Sequence, residues 1–276
     1  MRMRKHFATG AAMAAAATMV LTACGGGSST SPSTSSGSSD SGAPKGTINV
    51  GSAYETTDYS PITTSALGMG ANWQVLEGLY RFDMSDYSVS PALAAGDPVK
   101  VSDTEYEIAL RDGAKFSDGT DVKAADVVSS YERTTGDKSI FRQFFTFVDS
   151  VSAKDDKTVT VKLKYPFSNL KERFVNVHVV PSGMSEDALK AKPVGTGPYK
   201  YEAISATEIT AVPNEHYNGK TPAKAATLKW SALKDDAARL SAALGGSIDV
   251  MEAVPAAAQD QLKAAGWNVE AKPGYG

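Results

Sequence analysis

The sequence has few of the residues from which metal and redox sites are built. Its 276 residues include one cysteine, Cys24, and three histidines, His6, His178 and His216. A single cysteine can form neither an internal disulfide nor a cysteine-based zinc site. The last two histidines are far apart and have no ligand-type residue at helical spacing, so a histidine metal site is not expected. The composition therefore predicts a protein without cofactors.

An excess of positive charge is also missing. The chain has 28 Lys and Arg against 31 Asp and Glu, which gives a formal net charge of −3. Proteins that bind nucleic acids usually carry a clear excess of basic residues on one face. This balance indicates that nucleic acid is not a partner.

Catalytic signature motifs are absent as well. The sequence contains no GxSxG, HExxH or CxxC motif, and its serines, histidines and acids fall in no recognisable catalytic context. Glu105 and Glu107 lie on the polar side of a predicted strand, where we interpret them as solvated charges. The run 195–197, Gly-Thr-Gly, continues into Pro198 and so lacks the ending of a phosphate-binding loop. We predict that this run is a tight connection with unusual glycine dihedrals, and that the protein is not an enzyme.

The first residues have the pattern of an export signal. Arg2, Arg4 and Lys5 precede an uncharged, alanine-rich stretch over residues 7–23, as in secretory signal peptides. The alternative, a permanent membrane span, needs about 20 strongly apolar residues, and this stretch is shorter and only weakly apolar. It ends Leu-Thr-Ala-Cys, which resembles the bacterial lipobox. We therefore expect residues 1–23 to be a lipoprotein signal peptide, with a lipidated Cys24 on the outer face of the cell membrane.

The next segment, residues 24–45, is predicted to be a flexible tether. After Cys24 it consists almost entirely of Gly, Ser, Thr and Pro and has no large apolar residue. Such a segment cannot bury enough surface to offset the entropy lost on ordering. Its mean reach is roughly 25 Å for a flexible chain of this length.

From Gly46 onward the hydrophobic periodicity predicts strands and helices in mixed order, and hence α/β or α+β layering. Predicted strands cover residues 48–50, 99–101, 106–110, 159–163, 199–204, 207–213, 227–233 and 267–271. Predicted helices cover residues 66–80, 168–176, 235–244 and 255–266, with one more beginning after Thr120 or Asp121.

Several of these elements carry specific side-chain expectations. The 66–80 helix should direct four side chains into the core, namely Trp73, Leu76, Leu79 and Tyr80. The helix after Thr120 or Asp121 should bury one face, formed by Val122, Ala125, Val128 and Tyr131. Val99 and Val101 should be half-buried, and Gly245 should end the 235–244 helix in the left-handed conformation.

Taken together, six segments resemble the peptide- and nickel-type solute-binding proteins of ABC importers, family 5. The segments are WQVLEGLYRFD from Trp73, SPALA from Ser90, VSDTEYEIALRDGAKFSDGTDVKAADVVSSYER from Val101, VGTGPYKYE from Val194, ITAVPNEHYNG from Ile209 and DDAARLSAALGGSIDV from Asp235. The resemblance covers about residues 47–272. It implies an α/β, periplasmic-binding-protein-like class II fold with two hinged lobes that close over a ligand.

The resemblance also implies a domain organisation. Residues 46–80 and 190–254 would form lobe one, residues 81–189 an extra subdomain of that lobe, and residues 255–276 the start of lobe two. Members of this family are usually much longer, and most of lobe two has no counterpart here. We therefore expect a chain truncated after the first lobe.

The function implied is capture of a short peptide or similar solute outside the cell, by a monomer that delivers it to the permease subunits of an ABC importer. The loop after the first strand borders the cleft in this family, so the candidate ligand-binding residues are Tyr54, Glu55 and Thr56. Trp73 and Gln74 are further candidates, although core packing is the preferred interpretation of both. Two alternatives stay open: a non-transporting lipoprotein remnant or sensor, and nickel or a nickel chelate as the ligand.

Overall fold

The structure is a computed structural model in which residues 43–270 are described. The predicted signal peptide, Cys24 and nearly all of the predicted tether lie outside the described residues. In chain order the elements are β1 Thr47–Ser52, α1 Ala66–Val75, β2 Tyr80–Phe82, β3 Val89–Pro91, β4 Val99–Ser102, β5 Glu105–Ala109, α2 Ala124–Thr135, β6 Val148–Ala153, β7 Thr158–Leu163, α3 Leu170–Phe174, α4 Glu186–Ala191, β8 Tyr199–Ile204, β9 Glu208–Pro213, β10 Thr227–Ala232, α5 Asp236–Leu244, β11 Val250–Met251 and α6 Gln259–Ala264. Short 3-10 helices lie at Ile140–Phe145 and Ala256–Ala258.

The strands form three sheets. The largest has the order β11-β1-β10-β9-β8, in which β1 runs parallel to both of its neighbours and β9 runs antiparallel to β10 and β8. A four-stranded antiparallel sheet has the order β4-β5-β7-β6, and β2 pairs with β3 in a hairpin. The mixed α/β architecture predicted from the sequence is therefore confirmed.

The buried apolar side chains fall into three clusters. One draws on residues 79–179 and fills the space between the four-stranded sheet and α2 and α3. The second draws on residues 59–76 and 180–230 and packs α1 against the five-stranded sheet. The predicted division into lobe one and its subdomain stays a prediction. The chain passes from the second cluster to the first between residues 76 and 79, and back between residues 179 and 180.

The third cluster joins α5, β11 and the residues that follow them. Ala258 and Leu262 are buried against Ala243, Ile248 and Met251, with Trp267 and Val269 partly buried at the edge. The part of the segment 255–276 that the structure describes thus packs on residues 243–251. The predicted strand at 267–271 is wrong for residues 267–270, which form neither strand nor helix.

Two predicted helices begin or end elsewhere. α1 ends at Val75 rather than at residue 80, because the chain turns extended at Leu76 and enters β2. α2 begins at Ala124, three residues after the later of the two predicted caps, because Asp126 Oδ2 accepts a hydrogen bond from the Lys123 backbone N–H at 2.9 Å. The buried face of α2 shifts accordingly and consists of Ala124, Asp126, Val127, Ser130 and Thr134.

Two expectations about exposure and turn geometry are also wrong. Val99 and Val101 are 63% and 53% exposed, because β4 is an edge strand whose residues are all solvent-facing. At the end of α5, Gly245 stays right-handed with φ −82°, and Gly246 takes the left-handed conformation with φ +72°. The left-handed residue therefore comes one position later than predicted.

Gly195 and Gly197 are required by a close backbone approach and not by unusual dihedrals. Neither has a positive φ. A Cβ added to Gly195 would lie 2.1 Å from the Val75 carbonyl oxygen, and one added to Gly197 would lie 2.6 Å from the Gln74 carbonyl oxygen. The Gly197 N–H also donates to the Val75 carbonyl at 2.9 Å. The glycines therefore allow residues 195–197 to lie directly against the end of α1.

Replacing Gly195 with Ala should lower the free energy of unfolding by about 1–3 kcal/mol, the usual cost of forcing extra volume into a packed site. The matched control is Gly183→Ala, because a Cβ at Gly183 meets nothing within 4 Å. Urea unfolding followed by circular dichroism measures both variants. Equal midpoints for the two variants would contradict the close approach described here.

Candidate functional site

A cavity of about 740 Å³ opens beside the C-terminal end of α1 and the β2–β3 hairpin. Its walls come from the described segments 61–87, 175–178, 198–199 and 217–224, together with Ala92 and Phe141. These segments are far apart in the sequence and belong to both main cores. The volume lies within the range of small-molecule sites, about 300–1,000 Å³.

A buried ion pair lies at the wall of this cavity. Arg111 Nη2 is 3.1 Å from Glu77 Oε2, and Arg111 Nη1 donates to Glu77 Oε1 at 3.3 Å. The two side chains are only 17% and 8% exposed, respectively. Burial raises the pKa of Glu77 above its ordinary value, and the Arg111 guanidinium opposes that shift. The pair is bidentate, which fixes the orientation of both planar groups.

Arg111 also holds neighbouring segments in place. Its Nη1 donates to the Ala92 carbonyl and its Nε donates to Asn218 Oδ1 at 2.9 Å. Its guanidinium carbon lies 5.6 Å from the centre of the Tyr217 ring. One side chain therefore connects the hairpin region to the 217–224 segment, which forms another wall of the cavity.

Asn72 fixes the loop after β1 against α1 and β8. Its side chain is 1% exposed. Its Nδ2 donates to the backbone carbonyls of Tyr59 and Ser60 at 3.0 and 3.2 Å, and its Oδ1 accepts from the Tyr201 hydroxyl at 2.8 Å. All of these polar atoms are paired, so the loop is held in one arrangement beside the cavity.

His178 contributes an uncharged part of the wall. Its Nδ1 lies 3.3 Å from the Pro61 carbonyl oxygen. A carbonyl oxygen can only accept a hydrogen bond, so Nδ1 carries the proton in this contact. Burial lowers the pKa of His178 below its ordinary value of 6.5. The imidazole is therefore neutral at pH 7 and adds no positive charge to the cavity.

The structure brings together two of the five predicted ligand residues. Trp73 and Gln74 both line the cavity. The preferred interpretation of Trp73 as a core residue is wrong, because its side chain is 50% exposed; α1 ends two residues later, and Trp73 lies on the cavity side of that end. Leu76, Leu79 and Tyr80, the other three residues expected in the core with Trp73, are buried.

The other three predicted ligand residues are on the loop after β1 and do not line this cavity. Tyr54 is 47% exposed. Glu55 Oε1 lies 2.9 Å from Lys234 Nζ in a surface ion pair, and Thr56 Oγ1 hydrogen-bonds with the backbone of Asp58. Glu77, Arg111 and His178 were not among the predicted site residues. Glu77 and Arg111 lie within segments that resemble family 5. That resemblance was the one feature of the sequence that could have identified them as candidates.

Two further findings concern metals and membranes. Among residues 43–270 no three His, Cys, Asp or Glu side chains are grouped so that they could hold a metal ion. No helix in the same range has the length and apolar character that a membrane crossing requires.

Comparison with known proteins identifies the family. The family model described as "Bacterial extracellular solute-binding proteins, family 5 Middle" matches residues 88–275. The chain belongs to this family. The family resemblance found in the sequence is thereby confirmed.

Two curated relatives share about a third of their residues with this chain over the matched regions. The chain is 34% identical to Protein XP55 of Streptomyces lividans over 216 residues, which are 74% of this chain and 38% of XP55. It is 30% identical to the glutathione-binding protein GsiB of Salmonella typhimurium over 177 residues, which are 60% of this chain and 33% of GsiB.

The fold is also that of a solved member. The periplasmic binding protein DppA of Helicobacter pylori, in complex with the peptide STSA, superposes with a TM-score of 0.72 at 21% identity, over 80% of this chain and 49% of DppA. The periplasmic-binding-protein-like fold predicted from the sequence is confirmed by this match. The chain spans less than half the length of each of these three proteins.

Replacing Glu77 with Gln should lower the free energy of unfolding by about 3–5 kcal/mol, because it leaves the buried Arg111 guanidinium without a counter-charge. The control is Glu105→Gln, because the Lys162 partner of Glu105 is 4.0 Å away and exposed. This control should change the free energy of unfolding by no more than about 0.5 kcal/mol. Urea unfolding at pH 7 measures both. Similar losses in the two variants would contradict a structural role for the Glu77–Arg111 pair.

Proposed function

We propose that this protein binds a short peptide or a similar solute outside the cell and delivers it to the permease subunits of an ABC importer. The observation that carries the proposal is the cavity beside α1, whose walls include the segment from Trp73 that resembles family 5. Aromatic and apolar side chains form more than half of these walls, and polar groups such as Glu77 and Asn72 form the rest. That composition is typical of small-molecule sites.

The relatives support a peptide-like ligand. GsiB is named for glutathione, itself a small peptide, and DppA was solved with the peptide STSA. In the two-lobed arrangement of family 5, binding shifts the open–closed equilibrium through contacts that differ between the two states. On this proposal residues 46–80 and 190–254 act as lobe one, residues 81–189 as its subdomain, and the chain from residue 255 leads toward a second lobe. The protein acts as a binding protein and not as an enzyme.

A thermal-shift experiment on the mature chain tests the choice of ligand. Trialanine and glutathione should raise the melting temperature, and the shift should grow with the logarithm of ligand concentration, because a ligand that binds only the folded state stabilises it. Maltose and nickel chloride serve as the comparison ligands. A shift with nickel alone would contradict the peptide assignment, and no shift with any ligand would favour the non-transporting remnant or sensor.

Trp73→Ala connects this binding to the cavity. Loss of the exposed indole should weaken peptide binding by about two- to tenfold, corresponding to the 0.5–1.5 kcal/mol of an aromatic contact. Tyr165→Ala is the matched control, because Tyr165 is 51% exposed and does not line the cavity. Equal affinities for the two variants would place peptide binding elsewhere on the protein.

We also propose that residues 1–23 are removed on export and that lipidated Cys24 anchors the protein to the outer face of the membrane through the 24–45 tether. Acyl chains supply membrane affinity through buried CH₂ groups. Cys24→Ser should abolish labelling with radioactive palmitate and move the protein to the soluble fraction. Ser29→Ala in the same segment is the control and should leave both unchanged. Continued labelling of the Cys24→Ser variant would contradict the anchor.

A further inference from the structure

Four large apolar side chains of the cavity wall remain exposed. Trp73, Phe82, Met84 and Tyr87 are 50%, 38%, 50% and 66% exposed, respectively, and all four line it. Three of them lie on the β2–β3 hairpin, and Trp73 lies near the C-terminal end of α1. A group of exposed large apolar side chains around a cavity is typical of a site that a ligand covers.

Besides Glu77, which is paired with Arg111, the cavity wall has two cations and one carboxylate. Arg81 and Lys224 line it, and neither forms an ion pair with a carboxylate within the described range 43–270. The Glu77 carboxylate is engaged by Arg111 on two oxygens. Asp83 is the remaining acid in the lining, and its Oδ1 accepts hydrogen bonds from the Ser85 hydroxyl and backbone N–H at 2.5 and 2.9 Å.

Arg81 is held in position by uncharged partners. Its Nη1 donates to Thr221 Oγ1 at 2.5 Å, and the same oxygen lies 3.0 Å from the Tyr217 hydroxyl. A guanidinium has five N–H donors in a planar fork. One contact fixes its direction and leaves further donors for a planar acceptor such as a carboxylate.

We propose that the cavity, at its β2–β3 hairpin wall, binds the carboxylate of a solute whose neighbouring side chain is apolar or aromatic, with Arg81 as the carboxylate-binding residue and Lys224 adding positive charge. The apolar side chain packs among Trp73, Phe82 and Tyr87. The inference rests on the proposed function, because it names the chemical class of solute that the same cavity takes. A charge-assisted hydrogen bond from Arg81 to the carboxylate supplies the specificity.

The test compares three tripeptide probes, two of which differ only at the C-terminal carboxylate. Isothermal titration calorimetry with the mature chain should show that the tripeptide Ala-Ala-Phe binds at least tenfold more tightly than its C-terminal amide. Ala-Ala-Ala, with a free carboxylate but no aromatic ring, should bind more weakly than Ala-Ala-Phe. In Arg81→Gln the affinities for the acid and the amide of Ala-Ala-Phe should differ by no more than about twofold, because a charge-assisted hydrogen bond contributes roughly tenfold or more to affinity.

Lys162→Gln is the control, because Lys162 lies on β7, does not line the cavity and is an exposed cation; it should keep the full preference for the acid. Equal binding of acid and amide by the unmodified protein overturns the carboxylate site and leaves peptide binding intact. Retention of the acid preference in Arg81→Gln also overturns it, because the carboxylate is then held elsewhere. Failure of all three peptides to bind overturns both this inference and the proposed function.

Discussion

The ion pair between Glu77 and Arg111 adds a buried charge contact to the backbone hydrogen bonds that join the end of α1 to the chain after β5. Glu77 follows α1, on the five-stranded sheet side, and Arg111 follows β5 of the four-stranded sheet. With the Ala92 carbonyl and Asn218 as further partners, Arg111 fixes the hairpin and the 217–224 segment relative to α1. Because a buried charge without its partner is costly, these segments hold one arrangement, and the cavity between them keeps its shape.

The fold holds several polar groups at the cavity wall in one position. They include the Glu77–Arg111 pair, the hydrogen-bonded Asn72 and the neutral His178. On the proposed function these groups need no reorganisation when a solute binds, so less binding free energy is lost to ordering the site. The exposed aromatic side chains around these groups supply apolar contact area. The relatives in family 5 are more than twice as long as the part of them that this chain matches, which is why the transport role stays a proposal.

Much of the fold could be predicted from local patterns. β8 has the predicted bounds, and β9, β10 and α5 differ from theirs by one residue, because alternation of apolar side chains and the Asp235 cap are local signals. Exposure was harder to predict. The periodicity that includes Trp73 identifies a helix face, but whether another element covers that face depends on tertiary packing. Val99 and Val101 alternate like buried residues and yet lie on an edge strand.

The candidate site was predictable only in part, for a related reason. Trp73 and Gln74 belong to a segment that the family resemblance singled out, and they reach the cavity. Glu77 and Arg111 form a pair between residues far apart in the sequence, and no spacing rule predicts such a pair. Gly195 and Gly197 were recognised as special, but the reason was a close approach to α1, which only the assembled structure reveals.

The position of β1 has a consequence for the order of assembly. This first strand lies inside the five-stranded sheet, and both of its neighbours, β10 and β11, come from the far end of the described chain. Contacts between such distant residues slow folding, because the chain entropy must be lost before they form. Synthesis must therefore reach β11 before β1 can be fully paired. β1 therefore stays without either strand partner until residues 227–251, which contain β10 and β11, have been synthesised.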